Sequence, residues 1–460
     1  MPVPTRLTSP SRGEEPAALA TQIIGGPTGR FAAIGRRGWT YVAAMLSALA
    51  SVFIALGVLQ KNHCVRDGWG SPGALWRACY SDLPVGSGGA KGGTPWSVGG
   101  AGHDQPVLTA ILDWIVKQLT PGGNALATQQ IYFAIGTVII VLLIALTTLA
   151  TASMLRDTPW LAAHVALSPV LITAALVSFD VFGVALAAVG MALWARRHPV
   201  AAGICLGAAV MARTYPLVLI GAIVLIALRD DARAPLTRFL GGAAGAIVVC
   251  FGLAYAMGGD PLETYRAWWN QDAGYGSPAY LLTIAHHSLP ATSASIIAVL
   301  GWVVAFMLGV YLTGRPAIRT QLAPLALTML VIVLLTGKSM SVQSCMWVLP
   351  LMALVALRWR EHLLWAGAEI VYFVMTWLYI AGPSNTPKAM PGAAYAFFLL
   401  IRLIAYVGIA WASWESSQDL PRDPADPYVP PTTDGWAHVP SGSSRARDEP
   451  VSRSPGRATD

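Results

Sequence analysis

Asp82 lies in the run Tyr80-Ser81-Asp82-Leu83-Pro84, inside a long Gly-rich stretch that follows the first strongly hydrophobic segment. A carboxylate held just outside a bilayer can take a proton from a hydroxyl of a membrane-anchored substrate. An ordinary solvated loop acid would look the same in sequence, so the choice depends on what gathers around it. Two cations interrupt hydrophobic stretches at the same level: Arg213, in Arg213-Thr214-Tyr215-Pro216, and Lys338, in Gly337-Lys338-Ser339-Met340-Ser341-Val342-Gln343. Cations in a membrane cavity suit a phosphate, Arg through a bidentate fork and Lys as a point charge. The competing reading is that both side chains snorkel to lipid headgroups.

Other polar groups collect at this level. Asp180, in Ser178-Phe179-Asp180-Val181, either caps the helix that follows or joins the site. His103-Asp104-Gln105-Pro106 either caps the next helix or lines the site. A later stretch offers Trp268, Trp269, Asn270, Gln271 and Asp272, then Gly274-Tyr275-Gly276-Ser277. Aromatic faces beside amides and carboxylates suit a sugar, although Trp is also common in interfacial belts. His286-His287 has no third ligand nearby, and no second acid is spaced to share a metal with Asp82, so no metal is predicted.

These residues need a membrane scaffold to position them. The chain has 460 residues, of which 55% are hydrophobic and only 12% charged, with a mean hydropathy of +0.56. Soluble domains carry about 25% charged residues. Apolar runs of roughly 20 residues mark transmembrane helices, and the alternation of an outer-membrane barrel is absent. The sequence predicts an all-α polytopic bundle with about twelve spans, some short or re-entrant. They lie over 39–59, 130–155, 161–179, 181–195, 200–213, 215–228, 237–258, 291–313, 322–337, 343–357, 362–381 and 393–413. The net charge of +7 does not point to nucleic acid, because the excess Arg sits beside span ends. Arg196, Arg197, Arg229, Arg233, Arg238, Arg315, Arg319, Arg358 and Arg360 fall in short loops on one side, which the positive-inside rule makes cytoplasmic. Both termini are then inside. The loops 60–129 and 259–290 are outside, as is the turn 382–392.

Within the first outer loop, Val107, Leu108, Ile111, Leu112, Ile115 and Leu119 share a helical face and predict a helix lying on the membrane surface. Of the five Cys, Cys64 and Cys79 share that loop and are expected to form a disulfide, the alternative being two free thiols. Glu369 and Arg402, inside the last two spans, are expected to form a structural ion pair. Residues 1–37 and 414–460 lack apolar periodicity and read as disordered cytoplasmic arms around a membrane domain over 38–413.

Cys79-Tyr80-Ser81-Asp82-Leu83-Pro84, the Gly-rich stretch and Gln105-Pro106-Val107-Leu108 together resemble the first outer loop of actinobacterial glycosyltransferase family 87. Those proteins are polyprenyl-phosphate-sugar-dependent enzymes of the GT-C superfamily and include mycobacterial α-mannosyltransferases. Phe179-Asp180 resembles the family's aromatic-Asp step, and Ala212-Arg213-Thr214-Tyr215-Pro216 its basic-x-Tyr-Pro tip. Gly337-Lys338 through Gln343 and Trp347-Val348-Leu349-Pro350-Leu351 resemble its late Lys, Gln and Trp motif. The departures are Gln105 where members often have Tyr, Arg213 where many have Lys, and Ser341-Val342-Gln343 where many have Ser-Pro-Gln.

The resemblance implies a GT-C-type bundle and a donor of mannose on polyprenyl phosphate. It implies Asp82 as general base, with inversion at the anomeric carbon, and Arg213 and Lys338 on the departing phosphate. Asp180, His103, Asp104, Tyr215, Tyr275, Gln343 and Trp347 would bind substrate. No tightly bound cofactor is implied. The partners would be the lipid-linked sugar, a glycolipid or polysaccharide acceptor and membrane lipids, at the outer face of the plasma membrane. A transporter or flippase of a lipid-linked sugar is the alternative, since broken helices with cations also fit that class. A non-catalytic membrane scaffold is another.

Overall fold

The protein, seen here as a computed structural model, is described over residues 34–85, 92–156, 158–315 and 320–418. Arg319, residues 1–33 of the expected arm and residues 419–460 of the expected tail lie outside the described residues. Among the described residues every regular element is helical.

Helix α1 (Ile34–Gln60) starts with a bend at Gly38, whose φ of +61° suits a residue without a Cβ. It leads to the Asp82 end of the molecule. Two short helices, Asn62–Asp67 and Gly73–Trp76, follow, and then α2 (Val107–Leu119), which covers the residues expected for the surface helix. Val107, Thr109, Ala110 and Val116 of α2 are buried, while Ile115 and Leu119 at its far end are exposed. Helix α3 (Ala125–Met154) returns to the opposite end. A stretch of short turns over 159–174 leads back to the Asp82 end, and α4 (Asp180–Ala195), α5 (Pro199–Ala212), α6 (Pro216–Arg229) and α7 (Arg233–Ala256) follow, each reversing the one before. The second loop at the Asp82 end holds α8 (Glu263–Asn270) and α9 (Pro278–Ile284). Then come α10 (Ala291–Thr313), α11 (Leu322–Thr336), α12 (Leu349–Val355), α13 (Trp359–Ala381) and α14 (Gly392–Gln418). The last helix runs past residue 413, where the tail was expected to begin.

Among the described residues six helices (α1, α3, α7, α10, α13 and α14) are long and apolar enough to cross a membrane, so the protein is multi-pass. Helices α4, α5, α6 and α11 have only 14–16 residues. At 1.5 Å per residue they reach about 21–24 Å, against a hydrocarbon core of about 30 Å. They are apolar all round and largely buried among the longer helices, as such helices must be.

One expected span is not a continuous helix. Residues 161–179 form short turns instead: Pro159–Ala162, Ala163–Ala166 and Val170–Ala174. Pro169 removes a backbone donor and disfavours helical geometry at Ser168, so the helix cannot run through. The stretch 343–357 is likewise split, into a 3-10 turn over Val342–Trp347 and then α12, with Pro350 at the start of the second piece.

Without a hydrophobic driving force between helices in lipid, close backbone approach becomes the main source of packing. Helices α5 and α7 use it. A Cβ at Gly203 would collide with the Phe239 carbonyl, one at Gly207 with Ala243, and one at Gly242 with the Val200 carbonyl. Gly241, one residue along α7, faces open space. We expect Gly203→Leu to destabilise the fold by at least about 2 kcal/mol, because a backbone cannot move aside as a side chain can. Gly241→Leu should change stability by no more than about 0.5 kcal/mol. Thermal unfolding in detergent, followed by Trp fluorescence, compares the two.

Candidate functional site

The segment carrying Asp82 is tied down on both sides. A Cys64–Cys79 disulfide closes the loop before it, with a Cα–Cα separation of 5.9 Å. Gln60 donates to the Ala78 carbonyl at 2.7 Å, and the buried Lys61 ammonium donates to the Tyr80 carbonyl at 3.0 Å. Ser81, fully buried, donates to the Leu176 carbonyl at 2.7 Å, and the Asp82 amide donates to the Val177 carbonyl at 2.8 Å. The carbonyls of 176 and 177 are available because the helix there is broken.

The Asp82 side chain lines two cavities, through which solvent reaches it, while protein surrounds it on the remaining sides. That crowding raises its pKa above the usual carboxylate value. The Tyr80 hydroxyl opposes the rise, the Asp180 carboxylate adds to it, and Arg213 and Lys61 counter it.

One cavity, of about 370 Å³, is polar. Arg213, Asp104, Gln105, Thr109, Asp113 and Ser178 line it beside Asp82. Arg213 follows α5 at the turn into α6, and its guanidinium is fully engaged on one side. It donates to Asp180 through Nε at 2.8 Å and Nη2 at 2.5 Å, and through Nη1 to the Gln105 amide oxygen at 2.9 Å and the Ala212 carbonyl at 3.1 Å. Gln105 therefore has a defined partner. Asp180 does not cap α4. It is the first residue of that helix, and its carboxylate accepts from Ser178 Oγ at 2.8 Å, from Trp347 Nε1 at 3.0 Å and from Arg213. A buried carboxylate takes a cation and an indole N–H in preference to helix amides because charge-assisted bonds are the stronger ones. Tyr215 stacks on Trp347, with ring centroids 4.8 Å apart, and completes this cluster. Asp104 lines the cavity. His103 does not cap α2 either: it bridges the two loops, bonding Glu263 at 2.9 Å and the Trp96 carbonyl at 3.1 Å, while Pro106 precedes the helix.

The other cavity, of about 490 Å³, is mainly apolar and aromatic. Tyr80, Tyr275, Tyr372, Trp377, Ser341 and Gln343 line it beside Asp82. Its floor is the broken stretch 339–343, which is joined to the second loop by two backbone bonds, Gly274 N–H to Lys338 O at 2.7 Å and Met340 N–H to Tyr275 O at 3.1 Å. Arg402, fully buried in α14, donates to the Met340 carbonyl at 2.6 Å, the Ser341 carbonyl at 2.9 Å and Glu369 of α13 at 2.7 Å.

Lys338 lines neither cavity. Its ammonium donates to the Trp268 carbonyl at 2.9 Å, the Trp269 carbonyl at 3.1 Å and Ser295 Oγ at 2.9 Å, which uses all three of its donors. The expectation that Lys338 joins Arg213 on a phosphate is therefore not met by this arrangement. The carbonyls at the end of α8 attract the cation, as helix C-termini do. Among the described residues no group of three or more His, Cys, Asp or Glu is placed to hold a metal ion.

Sequence reasoning missed Lys61, Thr109 and Asp113. Thr109 Oγ1 donates to the Ala212 carbonyl at 2.8 Å, and Asp113 accepts from the Tyr132 hydroxyl. The available signal for Lys61 was a basic residue at the end of the first span, on the side where basic residues are scarce. Glu369 and Arg402 form a pair that is buried on both sides. Arg402→Met should destabilise the protein by about 3–5 kcal/mol, since it leaves a buried carboxylate unpaired. The double replacement Arg402→Met with Glu369→Met should recover part of that loss, as read from thermal unfolding of the purified variants.

A family model described as GPI transamidase subunit PIG-U matches residues 90–270, a multi-pass membrane family. That region holds α2 to α8, with Asp104, Gln105, Asp180 and Arg213, and stops short of Asp82 and Lys338. No curated protein and no solved structure matches the sequence. The chain is thus a multi-pass helical membrane protein, similar over residues 90–270 to that family.

Proposed function

We propose that this chain is a membrane glycosyltransferase of GT-C type, resembling family 87, that moves a sugar from a polyprenyl phosphate to an envelope glycan or glycolipid. The observation that carries this reading is the position of Asp82 on the wall shared by two cavities, only one of which holds a cation. The polar cavity takes the phosphosugar. Arg213 faces the phosphate, while Asp104 and Asp113 accept from sugar hydroxyls. The aromatic cavity takes the acceptor, whose C–H faces pack on Tyr275 and Trp377. The six long helices, the shorter ones and the broken stretch at 159–174 make up about twelve crossings. The basic loops lie inside, and the Asp82 end faces the extracytoplasmic side of the plasma membrane.

In the reaction the acceptor hydroxyl gives its proton to an Asp82 carboxylate oxygen. Its oxygen forms a bond to the anomeric carbon from the face opposite the phosphate. The bond from that carbon to the phosphate oxygen breaks, and its electron pair leaves with the polyprenyl phosphate. Arg213 stabilises the charge that develops there. No tightly bound cofactor takes part. A raised pKa makes Asp82 a stronger base than an exposed Asp.

The match to a GPI transamidase subunit family supports a second reading, in which the chain is a non-catalytic subunit of a membrane complex. The two separate on one experiment. Membranes with the wild-type chain, supplied with radiolabelled polyprenyl-phosphate mannose, should pass label to a lipid or polymer fraction. Asp82→Asn should lower transfer at least about 100-fold, and Arg213→Ala by a similar factor. The wild-type rate should fall as pH drops through a midpoint above the usual carboxylate value, because only the ionised carboxylate accepts the proton. Equal transfer by wild type and Asp82→Asn would leave the subunit reading standing.

A further inference from the structure

Lys61 is fully buried, directly after α1, where an ammonium without a compensating charge is costly. Its ammonium donates to the Tyr80 carbonyl at 3.0 Å and stands 5.3 Å from the centre of the Phe373 ring of α13. No carboxylate lies within salt-bridge distance of it among the described ion pairs, yet Asp82, two residues beyond Tyr80, feels its charge and it feels that of Asp82. A structural anchor for the Tyr80 carbonyl needs a donor but not a charge, and the neighbouring Gln60 makes the same kind of bond to Ala78 with a neutral amide. The charge therefore asks for its own explanation.

We propose that Lys61 is the positioning residue of Asp82: its donor fixes the turn that aims the carboxylate between the two cavities, and its charge holds that carboxylate ionised. The inference rests on the reading of Asp82 as a general base. The protein crowded around Asp82 favours the protonated acid, which cannot act as a base. The other groups facing Asp82 are Tyr80, Asp180 and Arg213, and Asp104 and Asp113 line the same polar cavity. Asp180 opposes ionisation of Asp82, and Arg213 is already shared between Asp180 and Gln105. Lys61 is then the cation in this group that no carboxylate claims at hydrogen-bond distance. Burial brings its own pKa down to about 7, with Asp82 resisting the fall, so below that pH the amine keeps its charge beside Asp82.

The test uses the full chain in lipid nanodiscs and follows the carboxyl C=O stretch by infrared spectroscopy across a pH series. The Asp82 band is identified by its loss in Asp82→Asn. In Lys61→Gln, which keeps a donor for the Tyr80 carbonyl and removes the charge, the midpoint should rise by about one pH unit. Lys61→Arg should stay near the wild-type midpoint. Lys61→Met serves in place of Lys61→Gln where that variant fails to accumulate with its Cys64–Cys79 disulfide intact. An unmoved midpoint in a folded, uncharged variant overturns the proposal. The mannose-transfer assay on the same nanodiscs reads the transferase proposal separately. The acid limb of transfer should move with the infrared midpoint, and a midpoint shift without any wild-type transfer overturns the transferase reading alone.

Discussion

Irregular backbone leaves carbonyls without helical partners, and here cations donate to several of them. Lys61 takes the Tyr80 carbonyl, Arg213 that of Ala212, Lys338 those of Trp268 and Trp269, and Arg402 those of Met340 and Ser341. A buried carbonyl left unsatisfied is costly, so irregular backbone survives in the interior only where something donates to it. The irregular segments are also the ones that line the cavities. The cations thus make the site possible before any of them meets a substrate.

This constraint sorts the cations by what remains free. Lys338 spends all its donors on its own scaffold, and Arg402 is sealed between α13 and α14 by Glu369. Arg213 is held from behind by Asp180, yet still lines a cavity beside Asp82. A guanidinium fixed by a carboxylate on one edge is preorganised, and preorganised charge stabilises a leaving phosphate without reorganising during the reaction. Asp180 earns its place here as the residue that aims Arg213, with Trp347 and Ser178 completing its shell.

Much of the fold was legible because hydrophobic periodicity and length depend only on local sequence. The six long helices and α2 lie where apolar runs put them. The segment at 161–179 was misread because its apolar run conceals Pro169, whose effect on the backbone outweighs composition. In the site, the residue types near Asp82, Asp180 and Arg213 could be picked out, but not who pairs with whom. That Asp180 serves Arg213 instead of helix amides depends on contacts 33 residues apart, and Lys338's cage depends on contacts some 70 apart. Such partners are set by tertiary packing, which spacing along one helix does not encode. Lys61 escaped notice for a related reason: a single Lys at a span end looks like a lipid-facing flank until the fold buries it.

The most direct test of the central claim, that Asp82 divides a phosphosugar cavity from an acceptor cavity, is photo-crosslinking with a polyprenyl phosphate carrying a photoreactive sugar. The cross-linked peptides are then mapped by mass spectrometry. The account predicts sugar attachment within 99–113 or 178–213, the walls of the Arg213 cavity, and competition by unlabelled polyprenyl phosphate. Attachment confined to the aromatic cavity around Trp377, or to the lipid-facing side of α10, would contradict it.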